Sequence, residues 1–250
     1  MRARPLPARA CATALAAVLL AGCGEDERRP GEPITEDEAV VLAELLHRNH
    51  EEGGADFVVV APFADDALLT LTGEIDFRRG IGRAQAVVEV DGEERDARTL
   101  FFDRDELWSG DLPGLTEALA EAGTEASYLR RPLPAGPEPG LIDVVVQVLL
   151  NLATPTADDP ATFLAGPYRW AAEQPIDGRP TTVYRLREGR TVAVDAGNGT
   201  LVQYRTPLGE DGPELTVTLA DHGSRRLTLP REEETVAAEQ HPVIAEAYGI

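Results

Sequence analysis

The chain is 250 residues long and carries 44 acidic against 23 basic residues, a formal net charge of −21. So large an acidic excess argues against nucleic acid as a partner, because phosphates demand a basic surface, and against electrostatic adhesion to anionic lipid. Every basic residue is arginine and 43% of residues are hydrophobic, and the length suits one larger domain with a sizeable core.

Residues 1–22 have the three parts of a secretory signal. Arg2, Arg4 and Arg9 form a positive start, and Cys11 to Ala21 is an apolar run too short to cross a bilayer, which takes about 20 apolar residues. Leu20-Ala21-Gly22-Cys23 then resembles the lipobox of bacterial lipoproteins, in which the cysteine is acylated and becomes the mature N-terminus. The expectation is a membrane anchor through acyl chains on Cys23. Each buried methylene of such a chain contributes about 0.8 kcal/mol. With Cys11 in the signal and Cys23 acylated, the mature domain has no cysteine for a disulfide or a thiolate metal site. Without the three signal arginines, 20 basic residues face the 44 acidic ones, a net charge of −24.

Residues 23–34 are charged, broken by Pro and Gly, and read as a flexible tether. A single domain is expected over 35–250. Thr35 and Glu38 form a capping box that predicts a helix from there to about Glu51, ended by Gly53-Gly54. Phe57 to Ala61 is a short apolar strand. Leu69, Leu71, Gly73, Ile75 and Phe77 alternate with polar residues, which is the period of a half-buried strand. Gly80 to Gly82 turns the chain, and Ala84, Ala86, Val88 and Val90 form the inner side of the next strand. Asp91-Gly92 predicts a hairpin, and Arg98 to Asp103 is a fourth strand.

Leu115 to Ala122 predicts a helix ended by Gly123, and the Pro/Gly-rich segment 131–140 a loop. Leu141 to Ala153 is the most apolar segment after the signal. Its polar residues Asp143, Gln147 and Asn151 fall at i, i+4 and i+8, one stripe of a helix. A helix this apolar must be covered by protein or by an apolar ligand. Strands are expected over 181–187, 190–195, 200–206, 215–220 and 226–229, with an Asn198-Gly199 hairpin. A short helix is expected over 241–248.

The order of helix, four strands, apolar helical middle and about five strands resembles the LppX/LprG group of lipoproteins of high-GC Gram-positive bacteria, and more distantly the LolA-like carriers. The resemblance rests on Val217-Thr-Leu-Ala-Asp221-His-Gly223 followed by Leu227-Thr-Leu-Pro230, which looks like that group's closing strand pair. It also rests on Val192-Ala-Val-Asp195 with Gly197 and Leu201, and on Leu107-Trp108, and it spans roughly residues 35 to 235. It implies an α+β fold: a strongly curved antiparallel sheet, or half-barrel, with helices on its concave face around an apolar cavity for acyl chains. Leu71, Phe77, Val145 and Leu149 are then the candidate lining.

No arrangement of catalytic residues stands out. There is no G-x-S-x-G, no H-E-x-x-H and no phosphate-binding glycine loop, so no enzyme activity and no cofactor are expected. His47 and His50 with Glu51 or Glu52 are compatible with a metal but read better as a solvated helix end. Asp221-His222 falls at a turn. Phe101, Phe102, Trp108, Trp170 and Tyr184 suit either a ligand pocket or an ordinary core. The reading that results is a non-catalytic lipoprotein that binds or carries a lipid. The alternative is an envelope module with a filled core and a protein partner, and a hydrolase is a minor third.

Overall fold

The computed structural model describes residues 28–133, 139–209 and 212–250. The signal segment and Cys23 lie outside these residues. The fold is α+β, built on one twelve-stranded sheet in the order β12-β6-β5-β4-β3-β2-β1-β11-β10-β9-β8-β7.

The chain opens with α1 (Glu36–Glu52). The Thr35 side chain accepts from the Glu38 amide and the Glu38 carboxylate accepts from the Thr35 amide, which satisfies two free donors of the first turn. Gly53, at φ 100°, ends the helix in the left-handed region that suits glycine. Five strands follow by antiparallel pairing: β1 (Gly54–Ala64), β2 (Ala67–Asp76), β3 (Ile81–Val90), β4 (Glu93–Phe102) and β5 (Glu106–Gly110). The β3–β4 turn places Asp91 and Gly92 at φ 55° and 73°, the two left-handed positions of a tight hairpin. α2 (Leu115–Glu121) leads to β6 (Tyr128–Pro132), which pairs with β5.

Here the chain leaves the sheet near one edge and re-enters at the other. The crossing carries α3 (Leu141–Leu150) and the short α4 (Pro160–Leu164). A second meander then runs through β7 (Arg169–Ile176), β8 (Arg179–Arg185), β9 (Thr191–Asp195), β10 (Leu201–Pro207) and β11 (Glu214–Ala220). It closes back on the first meander where β11 pairs with β1. The three-residue β12 (Thr235–Ala237) is parallel to β6, and α5 (Pro242–Ala247) ends the chain.

The period-2 pattern sets the buried face. Phe57, Val59 and Ala61 of β1 stand opposite Gly73, Leu71 and Leu69 of β2. On β11, Leu219 and Val217 stand opposite Phe57 and Val59. All but Gly73 join Leu42 and Leu45 of α1 and Val145, Val146 and Leu149 of α3 in one hydrophobic cluster. Gly82 is required by packing. It faces Phe102 across the β3–β4 pair, and a Cβ there would lie 2.0 Å from the Phe102 ring. A second cluster gathers Leu115 and Leu119 of α2 with Leu129 and Val236, and α5 packs on it.

Three expectations need correction. Leu227-Thr-Leu-Pro230 is not a strand. Arg79 Nη1 donates to the Leu227 carbonyl at 2.7 Å, so a side chain takes the group a ladder would have used. β5, β6, β7, β12 and α4 are not among the expected elements. The second half of the expected tether is docked rather than free. The Gly31 amide donates to the Trp170 carbonyl and the Trp170 amide to the Glu32 carbonyl, Pro33 bridges to Arg169, and Ile34 is buried.

Candidate functional site

The crossing from β6 to β7 leaves a cavity of about 640 Å³ between the helices and the β9–β10 end of the sheet. Its buried floor is Leu42 and Leu45 of α1, Leu152 after α3, Val192 of β9 and Leu201 of β10. Val144 and Val148 of α3, Phe163, Tyr168, Leu186 and Tyr204 form half-buried walls. Gln147, Asn151, Asp158 and Arg190 add polar groups, with Asn151 and Asp158 exposed to solvent. An apolar interior with a few polar groups, at this volume, is the usual character of a small-molecule pocket.

The wall beside α1 is held by backbone. The Thr154 amide donates to the Leu46 carbonyl and the Asp158 amide to that of Ala43. Buried Asn49 donates through Nδ2 to the Leu152 carbonyl at 2.7 Å. These bonds fix the chain after α3 against α1 and set the width of the cavity. The start of α3 is fixed by Asp143, whose Oδ1 lies 2.6 Å from Arg131 Nη2 and whose Oδ2 accepts from the Gly140 amide at 3.2 Å. Asp143 is 1% exposed and Arg131 15%, so this is an ion pair largely removed from water. The polar stripe of α3 therefore has two uses. Asp143 anchors the helix, while Gln147 and Asn151 face the cavity.

At the docked N-terminal segment, Arg28 binds the Glu38 carboxylate, with Nη2 to Oε2 at 2.8 Å, and Tyr184 Oη donates to Glu38 Oε1 at 3.4 Å. Burial raises the Glu38 pKa, but the hydrogen bonds from Arg28 and Thr35 outweigh it and hold the carboxyl below its ordinary value. Burial, and then the adjacent Glu38 charge, push the Tyr184 hydroxyl far up, so it stays a neutral donor.

The candidate lining residues lie elsewhere. Leu71, Val145 and Leu149 are 0% exposed and Phe77 is 4% exposed. All four sit in the hydrophobic cluster under the first meander, and none is in the cavity wall. The reason is the helical period. Val145 and Leu149 are one face of α3, whereas Val144 and Val148 are the next face round, turned to the cavity. Of the aromatic candidates, Phe102, Trp108, Trp170 and Tyr184 are buried. Phe101 is half-buried on the opposite face of the sheet, where its ring meets Tyr128 edge-on at 5.7 Å. Of the walls outside the candidate lining, Phe163 and Tyr168 come from short segments without periodic pattern, whereas Leu186 and Tyr204 fall within the expected strands 181–187 and 200–206, whose cavity-facing residues no local signal marked. The apolarity of Leu141–Ala153 on all sides was the one signal that pointed to this place.

The histidines make local contacts. His47 and His50 stack with ring centroids 6.4 Å apart. His47 Nδ1 is 3.3 Å from the Thr154 carbonyl, and Nε2 is 3.6 Å from Glu51. His222 is partly buried. Burial first, and then the Arg179 charge, hold its pKa below the usual histidine value. On the other face of the sheet, Asp56, Glu74, Arg83, Gln85 and Thr99 border a groove of about 580 Å³, whose charged walls suit water better than an apolar ligand. Compared with known families and curated proteins, the chain matches no family model and no curated protein.

Proposed function

We propose that the protein is an extracytoplasmic lipoprotein of the LppX/LprG type, anchored to the membrane by acyl chains on Cys23, that binds a lipid or similar apolar ligand without chemical conversion. The sheet is read as a half-barrel curling round α1 and α3, with the ligand in the cavity between α1, α3, α4 and β9–β10. The observation that carries this reading is the cavity itself: apolar side chains of Leu42, Leu45, Val144, Val148, Val192 and Leu201 converge on a space that polar groups edge on one side. Removing an acyl chain from water there contributes about 0.8 kcal/mol per methylene. Gln147 and Arg190 are placed to meet a polar head.

Native mass spectrometry of the purified protein, followed by organic extraction, tests this. Retained or taken-up lipid in one-to-one ratio is expected. Protein that stays lipid-free under every loading condition would overturn it. Cys23→Ala should abolish acylation and release the protein from the membrane fraction. One observation favours a second reading, an envelope module whose core is filled by its own side chains. Beneath the core face of α3 the sheet is closed, with Leu71, Val145 and Leu149 fully buried. Lipid-free protein would support that reading.

A further inference from the structure

The acidic excess predicts repulsion from anionic lipid over the surface as a whole. One corner departs from it. Arg169 of β7 and Arg185 of β8 stand directly opposite each other, a like-charge pairing that costs a sheet stability. The Arg187 guanidinium lies over the Tyr168 ring, 5.8 Å from its centroid, and Arg28 over that of Trp170 at 5.2 Å. Arg29 and Arg190 complete the cluster. Glu32 and Glu38 take Arg28, and Glu188 takes Arg190. Among the described residues, Arg29, Arg169, Arg185 and Arg187 form no ion pair, and three of them are exposed. The β7 end of an otherwise acidic molecule thus carries four arginines that have no carboxylate partner among the described residues.

The same corner is where the anchor arrives. Cys23 precedes Arg28 by five residues, a span of at most about 18 Å when fully extended. Arg28 is docked on Trp170 and Glu38, so the N-terminal segment cannot swing the domain freely about a ten-residue tether. Leu164 of α4, an exposed apolar side chain, follows Phe163, whose ring packs 4.8 Å from that of Tyr168. Tyr168, Leu186 and Arg190 belong both to this corner and to the cavity wall.

We infer that the corner built by Arg29, Arg169, Arg185 and Arg187 is the face the protein turns to the membrane, where these arginines meet anionic phospholipid headgroups. The inference rests on the acylation of Cys23 given above. It deepens that reading, since it places one wall of the cavity next to the lipid surface. Each arginine held near an anionic leaflet shifts the docked population by about fivefold, so losing three lowers it on the order of a hundredfold.

The two tryptophans report on this directly, because Trp170 sits at the corner and Trp108 lies on β5, towards the other edge of the sheet. Acylated protein is purified from membranes, and its mass establishes the modification of Cys23. It is then incorporated into phosphatidylcholine vesicles bearing a dansyl headgroup lipid, with and without phosphatidylglycerol. In Trp108→Phe, energy transfer from Trp170 should rise when phosphatidylglycerol is added. High salt, or the triple change Arg169→Gln, Arg185→Gln and Arg187→Gln, should return it to the phosphatidylcholine level. If Trp108→Phe does not fold, the unaltered protein gives the same lipid-dependent and salt-dependent rise. Acylated protein whose transfer ignores phosphatidylglycerol and salt would overturn the inference alone. An unmodified Cys23 would overturn the anchor and the inference together.

Discussion

Adjacent residues of α3 should differ sharply in their tolerance of mutation. Leu149 is fully buried in the main cluster with Val59, Leu71 and Leu100. Leu149→Ala removes a buried side chain and leaves a hole among well-packed neighbours, which costs about 2–5 kcal/mol. At roughly 2–4 °C per kcal/mol for a domain of this size, Tm should fall by roughly 4–20 °C. Val148 is one position earlier, half-buried, and faces the cavity of about 640 Å³. Val148→Phe extends into that space without displacing a neighbour and buries additional apolar surface. Its stability should therefore stay within about 1 kcal/mol of the parent. Thermal unfolding followed by circular dichroism measures both changes on one helix. A Val148→Phe variant that loses as much as Leu149→Ala would show that the cavity has no room. A Leu149→Ala variant that loses almost nothing would show that the core face of α3 is not packed.

Other consequences follow from single contacts. Arg131→Met leaves the Asp143 carboxylate buried without its cation and should cost about 3–5 kcal/mol in urea unfolding; a loss below about 1 kcal/mol would mean that water reaches Asp143. Gly82→Val drives a side chain into the Phe102 ring, 2.0 Å from the added Cβ, and should destabilise by at least about 1–3 kcal/mol. Gly82→Val combined with Phe102→Ala should recover part of that loss, and no recovery would locate the strain elsewhere. The Glu38 carboxyl is held below its unfolded value, so its contribution is fully present above the ordinary carboxyl range and is lost as pH falls through the lowered folded value. Glu38→Gln should therefore lower stability near neutrality and flatten the acid limb of the stability profile, while an unchanged acid limb would remove Glu38 from the account.

What the sequence made legible was local chemistry. Thr35 with Glu38, the glycine after α1, the Asp91-Gly92 turn and the alternation from Leu69 to Ile75 each carry their own physical instruction, and the structure follows them. What stayed hidden depends on partners distant along the chain. β7 includes Glu173, Gln174 and Pro175 and has no alternation, because it is an edge strand with little to bury. β6 contributes only Leu129 as a fully buried residue. Arg28 to Ile34 has the composition of a solvated tether, yet Trp170 and Glu38 hold it in place. The cavity was half legible. That α3 needed cover all round could be read from Leu141 to Ala153, but which face met the core and which met open space was set by the β6-to-β7 crossing. The candidate lining residues Val145 and Leu149 therefore lie one residue beyond the cavity-facing Val144 and Val148.

The central claim is that an apolar ligand occupies the space beside Val148. The most direct test is a titration of an environment-sensitive fatty-acid probe into the unaltered protein and into Val148→Trp, after both are shown to have the same folded spectrum. Saturable binding at one site is expected in the unaltered protein, and its loss when the indole fills the cavity. Equal binding by the two proteins, or none by either, would contradict it.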